Sequence, residues 1–165
     1  MDDRLFITIG KYFIAFQFIE GLIDQALLML WGHENWTGSQ KRLAAMSNFH
    51  KVEALSQEML KNERLVRAQS RPEWDDLAAS TRDRLHRERS TRNRIAHSQY
   101  LFDALKFDGP VVQSARVKEG SEVRFETDIM TEEIQNALVE NILDLVKSVS
   151  ALRTQLLQDF SASAE

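Results

Sequence analysis

Residues 5–31 (LFITIGKYFIAFQFIEGLIDQALLMLW) are apolar almost throughout, broken at Lys11, Gln17, Glu20, Asp24 and Gln25. The run predicts a long core helix over about 3–31, with Gly32 as terminator. Charges at a bilayer centre cost roughly 2.5–3.5 kcal/mol each, which argues against a membrane span. The apolar surface exceeds what one helical neighbour covers, so a subunit interface is expected there. His33 to Gly38 reads as a loop, and Ser39 as the cap of a second helix over about 40–68, carrying Leu43, Met46, Val52, Leu55, Met59 and Val66. Ser70-Arg71-Pro72 breaks the pattern, and Pro72 suits the first turn of a third helix over about 72–98. Only Trp74, Leu77, Leu85 and Ile95 give that helix an apolar stripe, so something besides core packing set its composition. Period-two alternation in 111–117 and 122–127, separated by Glu119-Gly120-Ser121, predicts a small β-hairpin. A lone hairpin is marginal in water and must lean on the helices. Thr131 then caps a last helix to about residue 158, with Ile134, Leu138, Ile142, Leu145, Val149, Leu152 and Leu156 in steps of three and four. Ser161 to Glu165 is expected to fray.

The fold class that follows is all-α: an up-and-down bundle of four to five helices with a hairpin insertion near 110–128, in one domain over 1–165. Composition narrows the chemistry. The 165 residues hold 43% hydrophobic and 28% charged side chains, which suits a globular chain. Six Gly and two Pro argue against a turn-rich sandwich. With no Cys, disulfide scaffolds, thiolate metal sites and thiol nucleophiles are excluded. The acidic start Met1-Asp2-Asp3 is unlike a signal peptide, and a cytoplasmic protein without a membrane role is expected. The net charge of −4 excludes a globally basic coat for nucleic acid, though not a local patch.

That patch exists. Arg82, Arg84, Arg87, Arg89, Arg92 and Arg94 lie within thirteen residues whose only acids are Asp83 and Glu88. Planar guanidinium groups bind phosphates two-pronged, so Arg84, Arg87, Arg89 and Arg94 are candidate RNA contacts. A solvated helix face laced with ion pairs explains the same charge run.

Inside it stands Arg92-Asn93-Arg94-Ile95-Ala96-His97, in which four residues separate Arg92 from His97. This resembles the signature of the HEPN superfamily: an Arg, often followed by Asn, His or Asp, then a His after four to six residues. The long apolar first helix with its central Glu20, the motif near the end of the third helix and the amphipathic last helix resemble that family's layout. The resemblance implies a homodimeric, metal-independent endoribonuclease, of the kind found among toxins and phage-defence effectors, with an antitoxin or other regulatory protein as a further partner. It implies no cofactor. It implies Arg92 and His97 as catalytic residues, with Asn93 beside them. The chemistry suits these groups. The RNA 2′-hydroxyl attacks its own phosphorus and leaves a 2′,3′-cyclic phosphate, which requires a base, an acid and positive charge on the transition state. Imidazole titrates near neutrality and serves either proton transfer. Arg92 stays protonated and holds oxygens. Arg92 and His97 lie about 140° apart around an ideal helix, so they do not share a narrow face. One chain supplies one motif His, and the family answer is a composite cleft between two protomers. Toxins paired with small nucleotidyltransferases often have Tyr two residues after the His. Here Gln99 takes that place, and Tyr100 follows as a supporting residue.

Other constellations are weaker. His33 with Glu34 and His50 with Glu53 lack the spacing of a metal site. His86 reads equally as an RNA contact or a solvated residue. Glu20 and Asp24, one turn apart, are expected to pair with arginines of the third helix as structural support, or else to position Arg92. A non-catalytic HEPN-like dimerisation or interaction module is the alternative function.

Overall fold

The computed structural model describes residues 3–32, 34–101, 111–119 and 122–161. The elements run α1 (Asp3–Trp31), α2 (Trp36–Ala45), α3 (Asn48–Lys61), a 3-10 turn (Glu63–Leu65), α4 (Val66–Gln69), α5 (Trp74–His97), β1 (Gln99–Leu101), β2 (Val112–Glu119), β3 (Glu122–Ile129) and α6 (Glu132–Ser161). The protein is mostly helical with a small β insertion, as the pattern predicts, but it has six helices among the described residues rather than four or five.

The extra helices come from one miscount. The single helix expected over 40–68 is broken twice by side chains that compete for backbone donors. Ser47 accepts a hydrogen bond from the His50 N–H and starts α3. Asn62 accepts from the Arg64 N–H and starts the 3-10 turn, while its amide donates to Leu30 O and Glu58 Oε2. Asn35, not Ser39, caps α2 through the Gly38 N–H. Pro72 lies ahead of α5, whose first residue is Trp74. Gly32 does end α1, with φ +79° and its N–H bonded to Met29 O. Thr131 does cap α6, accepting from the Ile134 N–H.

The hairpin is part of a three-stranded antiparallel sheet in the order β1-β2-β3. β1 is three residues long and pairs Tyr100 with Gln113. So short a strand has no alternation to detect. Of the separator expected at Glu119-Gly120-Ser121, Glu119 ends β2 and the other two residues lie outside the described residues, as does His33. Of the fraying expected over 161–165, Ser161 is instead the last residue of α6 and the rest lies outside the described residues.

The chain forms two compact units. One comprises Met1–Phe16 and Ser90–Leu143, the other Gln17–Arg89 and Asp144–Glu165. In the first unit Leu5, Val111 and Met130 form a buried cluster, with Ile9 and Tyr100 packed against it. Gln135, also buried, donates to Met130 O and accepts from the Thr8 hydroxyl. Arg4 binds Glu132 at 2.6 Å, and this bonded cation holds the Glu132 carboxyl below its ordinary pKa. In the second unit Trp74 is fully buried and donates from Nε1 to Met59 O at 2.8 Å. Arg71 grips Asp159 two-pronged at 2.5 and 3.1 Å.

By length and composition α1 is apolar enough to cross a membrane. Two of its three acids are engaged within the protein: Glu20 accepts from Asn48 Nδ2 at 2.9 Å, and Asp24 binds Lys51 at 2.8 Å. Both partners lie on α3 rather than among the arginines of α5, which corrects the expected pairing and leaves Glu20 a structural support.

Candidate active site at the C-terminal end of α5

α5 ends at His97, and a polar clamp fixes that end. Ser98 Oγ donates to Arg94 O at 2.5 Å, and Tyr100 Oη donates to Ile95 O at 3.1 Å. These bonds satisfy two of the carbonyls that every helix leaves open at its C-terminus. The buried Gln113 on β2 donates its amide to both hydroxyls, at 3.0 and 3.4 Å. Burial raises the Tyr100 pKa, against the opposing pull of the Gln113 hydrogen bond. Arg94 ties the helix to the sheet by pairing with Glu126 at 3.3 Å and with Asp128. The last turn of α5 is therefore held from β1, β2 and β3 at once.

A cleft of about 350 Å³ opens beside this turn. Ser90, Asn93, Arg94 and His97 line it from α5, and Ala115, Arg116, Val117 and Lys118 from β2. His97 is exposed and its ring makes no hydrogen bond with the described residues. Arg116 and Lys118 are exposed and, among the described residues, unpaired. Neither stands out in the sequence as a candidate contact. Nothing in the one-dimensional pattern placed them opposite His97, because strand pairing across a long connection does so.

The structure separates the motif. Asn93 and His97 are one helical turn apart and share the cleft, whereas Arg92 does not line it. The Arg92 guanidinium lies 5.8 Å from the Phe16 ring and donates from Nη1 to Asn93 Oδ1 at 3.0 Å. Arg92 thus reaches the cleft through Asn93. It has no carboxylate partner among the described residues, and its buried Nε has no acceptor.

The remaining arginines fare differently. Arg94 lines the cleft but is committed to two acids. Arg84 is spent on Asp144 at 2.8 Å and Ser148 at 3.1 Å, and Arg82 on Asp83. Arg87 lies exposed on α5 in the second unit. Arg89 rests over Phe49, its guanidinium 5.4 Å from the ring. His86, in the second unit, binds Glu53 at 2.6 Å. His86 also stands in a local repeat of the motif. Thr81-Arg82-Asp83-Arg84-Leu85-His86 is a near-copy of Thr91-Arg92-Asn93-Arg94-Ile95-Ala96-His97, one residue shorter.

Among the described residues no three His, Asp or Glu side chains converge as metal ligands do. No protein-family model matches the chain, nor does any curated protein or solved structure.

Proposed function

We propose that this protein is a cytoplasmic endoribonuclease of HEPN type, acting without a metal on RNA bound in the cleft between α5 and β2. The observation that carries the reading is an exposed imidazole, His97, sharing a cleft with the cations Arg116 and Lys118, all three without a partner among the described residues, with Asn93 one turn away. An imidazole removes the proton from the RNA 2′-hydroxyl as the new O2′–P bond forms. The P–O5′ bond breaks, and an imidazolium delivers a proton to the departing 5′-oxygen. One ring cannot hold both positions in a single step, so the second is assigned to His97 of the partner subunit in a homodimer. Arg116 and Lys118 neutralise charge that grows on the non-bridging oxygens. Asn93, steadied by Arg92, orients the phosphate or the imidazole. Arg92 is then a positioning residue. Such an activity suits a toxin or phage-defence effector restrained by an antitoxin.

The test is cleavage of a labelled RNA in excess chelator, with products analysed for 2′,3′-cyclic phosphate ends. Wild type is expected to cleave and His97→Ala to be inactive at unchanged melting temperature. Loss of wild-type activity in chelator would overturn the metal-independent reading. Arg92's absence from the cleft favours one alternative, a non-catalytic dimerising module. In that case wild type cleaves no RNA, and His97→Ala binds its partners normally.

A further inference from the structure

The second unit holds a cluster that the proposed cleft does not use. Phe49, at the start of α3, keeps 42% of its surface exposed, although a large aromatic there gains by burial. Three nitrogen-bearing side chains surround it. The His86 imidazole lies 4.9 Å from its ring centre at a tilt of 31°. The His50 ring meets it edge-on at 5.5 Å. The Arg89 guanidinium sits 5.4 Å from it.

Each neighbour is held from outside. Glu53 Oε1 binds His86 Nε2 at 2.6 Å and fixes the ring in its near-parallel pose. The Ser47 hydroxyl lies 2.8 Å from His50 Nδ1. Arg89 differs from its neighbours Arg84 and Arg82, which are paired with acids. Among the described residues it meets no carboxylate, and its Nε has no acceptor. Glu53 is engaged by His86, which leaves the Arg89 charge for an incoming anion. The result is a partly exposed aromatic ring, extended by a fixed imidazole, with a guanidinium over it that meets no acid among the described residues. Single-stranded nucleic acid is bound by this combination: bases stack on aromatic and guanidinium planes while the cation takes a phosphate.

We propose that Phe49, His86 and Arg89 form a stacking subsite for one nucleotide of single-stranded RNA, the base lying on Phe49 and the phosphate on Arg89. The subsite rests on the reading of the protein as an RNA-binding enzyme and adds to it the strandedness of the substrate. A paired base inside a duplex offers no free face.

The experiment measures binding of a short fluorescein-labelled 2′-O-methyl oligouridylate to the full chain by anisotropy. This probe lacks the nucleophile for cleavage, so binding is read apart from catalysis. Phe49→Leu should weaken binding roughly five- to 150-fold, the range for losing one stacked base. Phe49→Trp should restore it, with tryptophan emission quenched on binding. Arg89→Gln should weaken binding and reduce the slope of log affinity against log salt by about 0.7. Inorganic polyphosphate, a chain of charge without bases, should compete poorly. Wild-type affinity in a folded Phe49→Leu protein would overturn the subsite while leaving the nuclease reading intact. So would equal competition by polyphosphate. A wild type that binds no oligouridylate would overturn both.

Discussion

Arg92 donates its hydrogen bond to Asn93, its neighbour in the chain, which lines the cleft that holds His97 while Arg92 itself does not. Asn93 is thereby the link between a guanidinium lodged against Phe16 and the site of the proposed chemistry. If Arg92 acts through Asn93, the two side chains are energetically coupled. Arg92→Lys and Asn93→Ala should each lower the cleavage rate, and the double variant should be little worse than either. The expected coupling is about 0.5–3 kcal/mol, within the range for contacting residues. Independent, multiplicative effects in single-turnover kinetics would show that Arg92 meets the phosphate directly.

The cations should sort by their partners. Arg116→Gln and Lys118→Gln should each weaken RNA binding and lower the salt slope by about 0.7, because both charges line the cleft and are unpaired among the described residues. Arg84→Gln should leave affinity unchanged, since that guanidinium is spent on Asp144 and Ser148. Filter binding at several salt concentrations separates these outcomes. An Arg84 effect equal to that of Arg116 would restore the view of α5 as a continuous phosphate track.

The clamp at the end of α5 should respond to alkali. Burial raises the Tyr100 pKa above its unfolded value near 10. The unfolded chain therefore releases this proton first, and stability falls as pH rises from about 10 through the folded pKa. Tyr100→Phe removes that contribution, so its melting temperature should decline less steeply above pH 10 than that of wild type. At pH 7 the same variant should be less stable by about 0.5–1.5 kcal/mol, for the bond lost to Ile95 O. Thermal melts by circular dichroism across pH decide both.

Gln113 should matter more than its size suggests. Its amide serves Ser98 and Tyr100 from a buried position, so Gln113→Leu leaves two partners short of a donor. A loss of about 1–3 kcal/mol is expected in denaturant unfolding. Cleavage should drop with it if the clamp positions His97. Unchanged activity in a destabilised Gln113→Leu protein would show that His97 needs no such support.

Dimerisation is required by the two-imidazole mechanism. Ile14 is 73% exposed and Ile7 54%, about two helical turns apart on α1. Light scattering should give twice 19.1 kDa. Ile14→Glu should yield monomers and abolish cleavage together. A wild-type monomer at micromolar concentration would remove the composite site.

The sequence by itself determined the long elements. α1 and α6 were legible because apolar residues recur over many turns, and Gly32 and Thr131 mark ends by local chemistry alone. His97 was marked by the resemblance of Arg92-Asn93-Arg94-Ile95-Ala96-His97 to a family motif, and the 3.6-residue period puts Asn93 one turn before it. What depended on a single side chain choosing among local partners was less legible. Ser47 and Asn62 break a segment whose apolar spacing is otherwise helical, and the choice becomes visible only in their hydrogen bonds. Only the tertiary structure decided the site's other wall. Strand pairing brings Arg116 and Lys118 to the cleft that His97 lines, and brings Gln113 to the hydroxyls of Ser98 and Tyr100 at the end of α5. The same structure withdrew Arg84 and Arg94 from the pool of free cations by placing Asp144, Glu126 and Asp128 against them. A charge run records how many cations a helix carries. Which of them stay unpaired is set by acids distant in sequence, which no local pattern encodes.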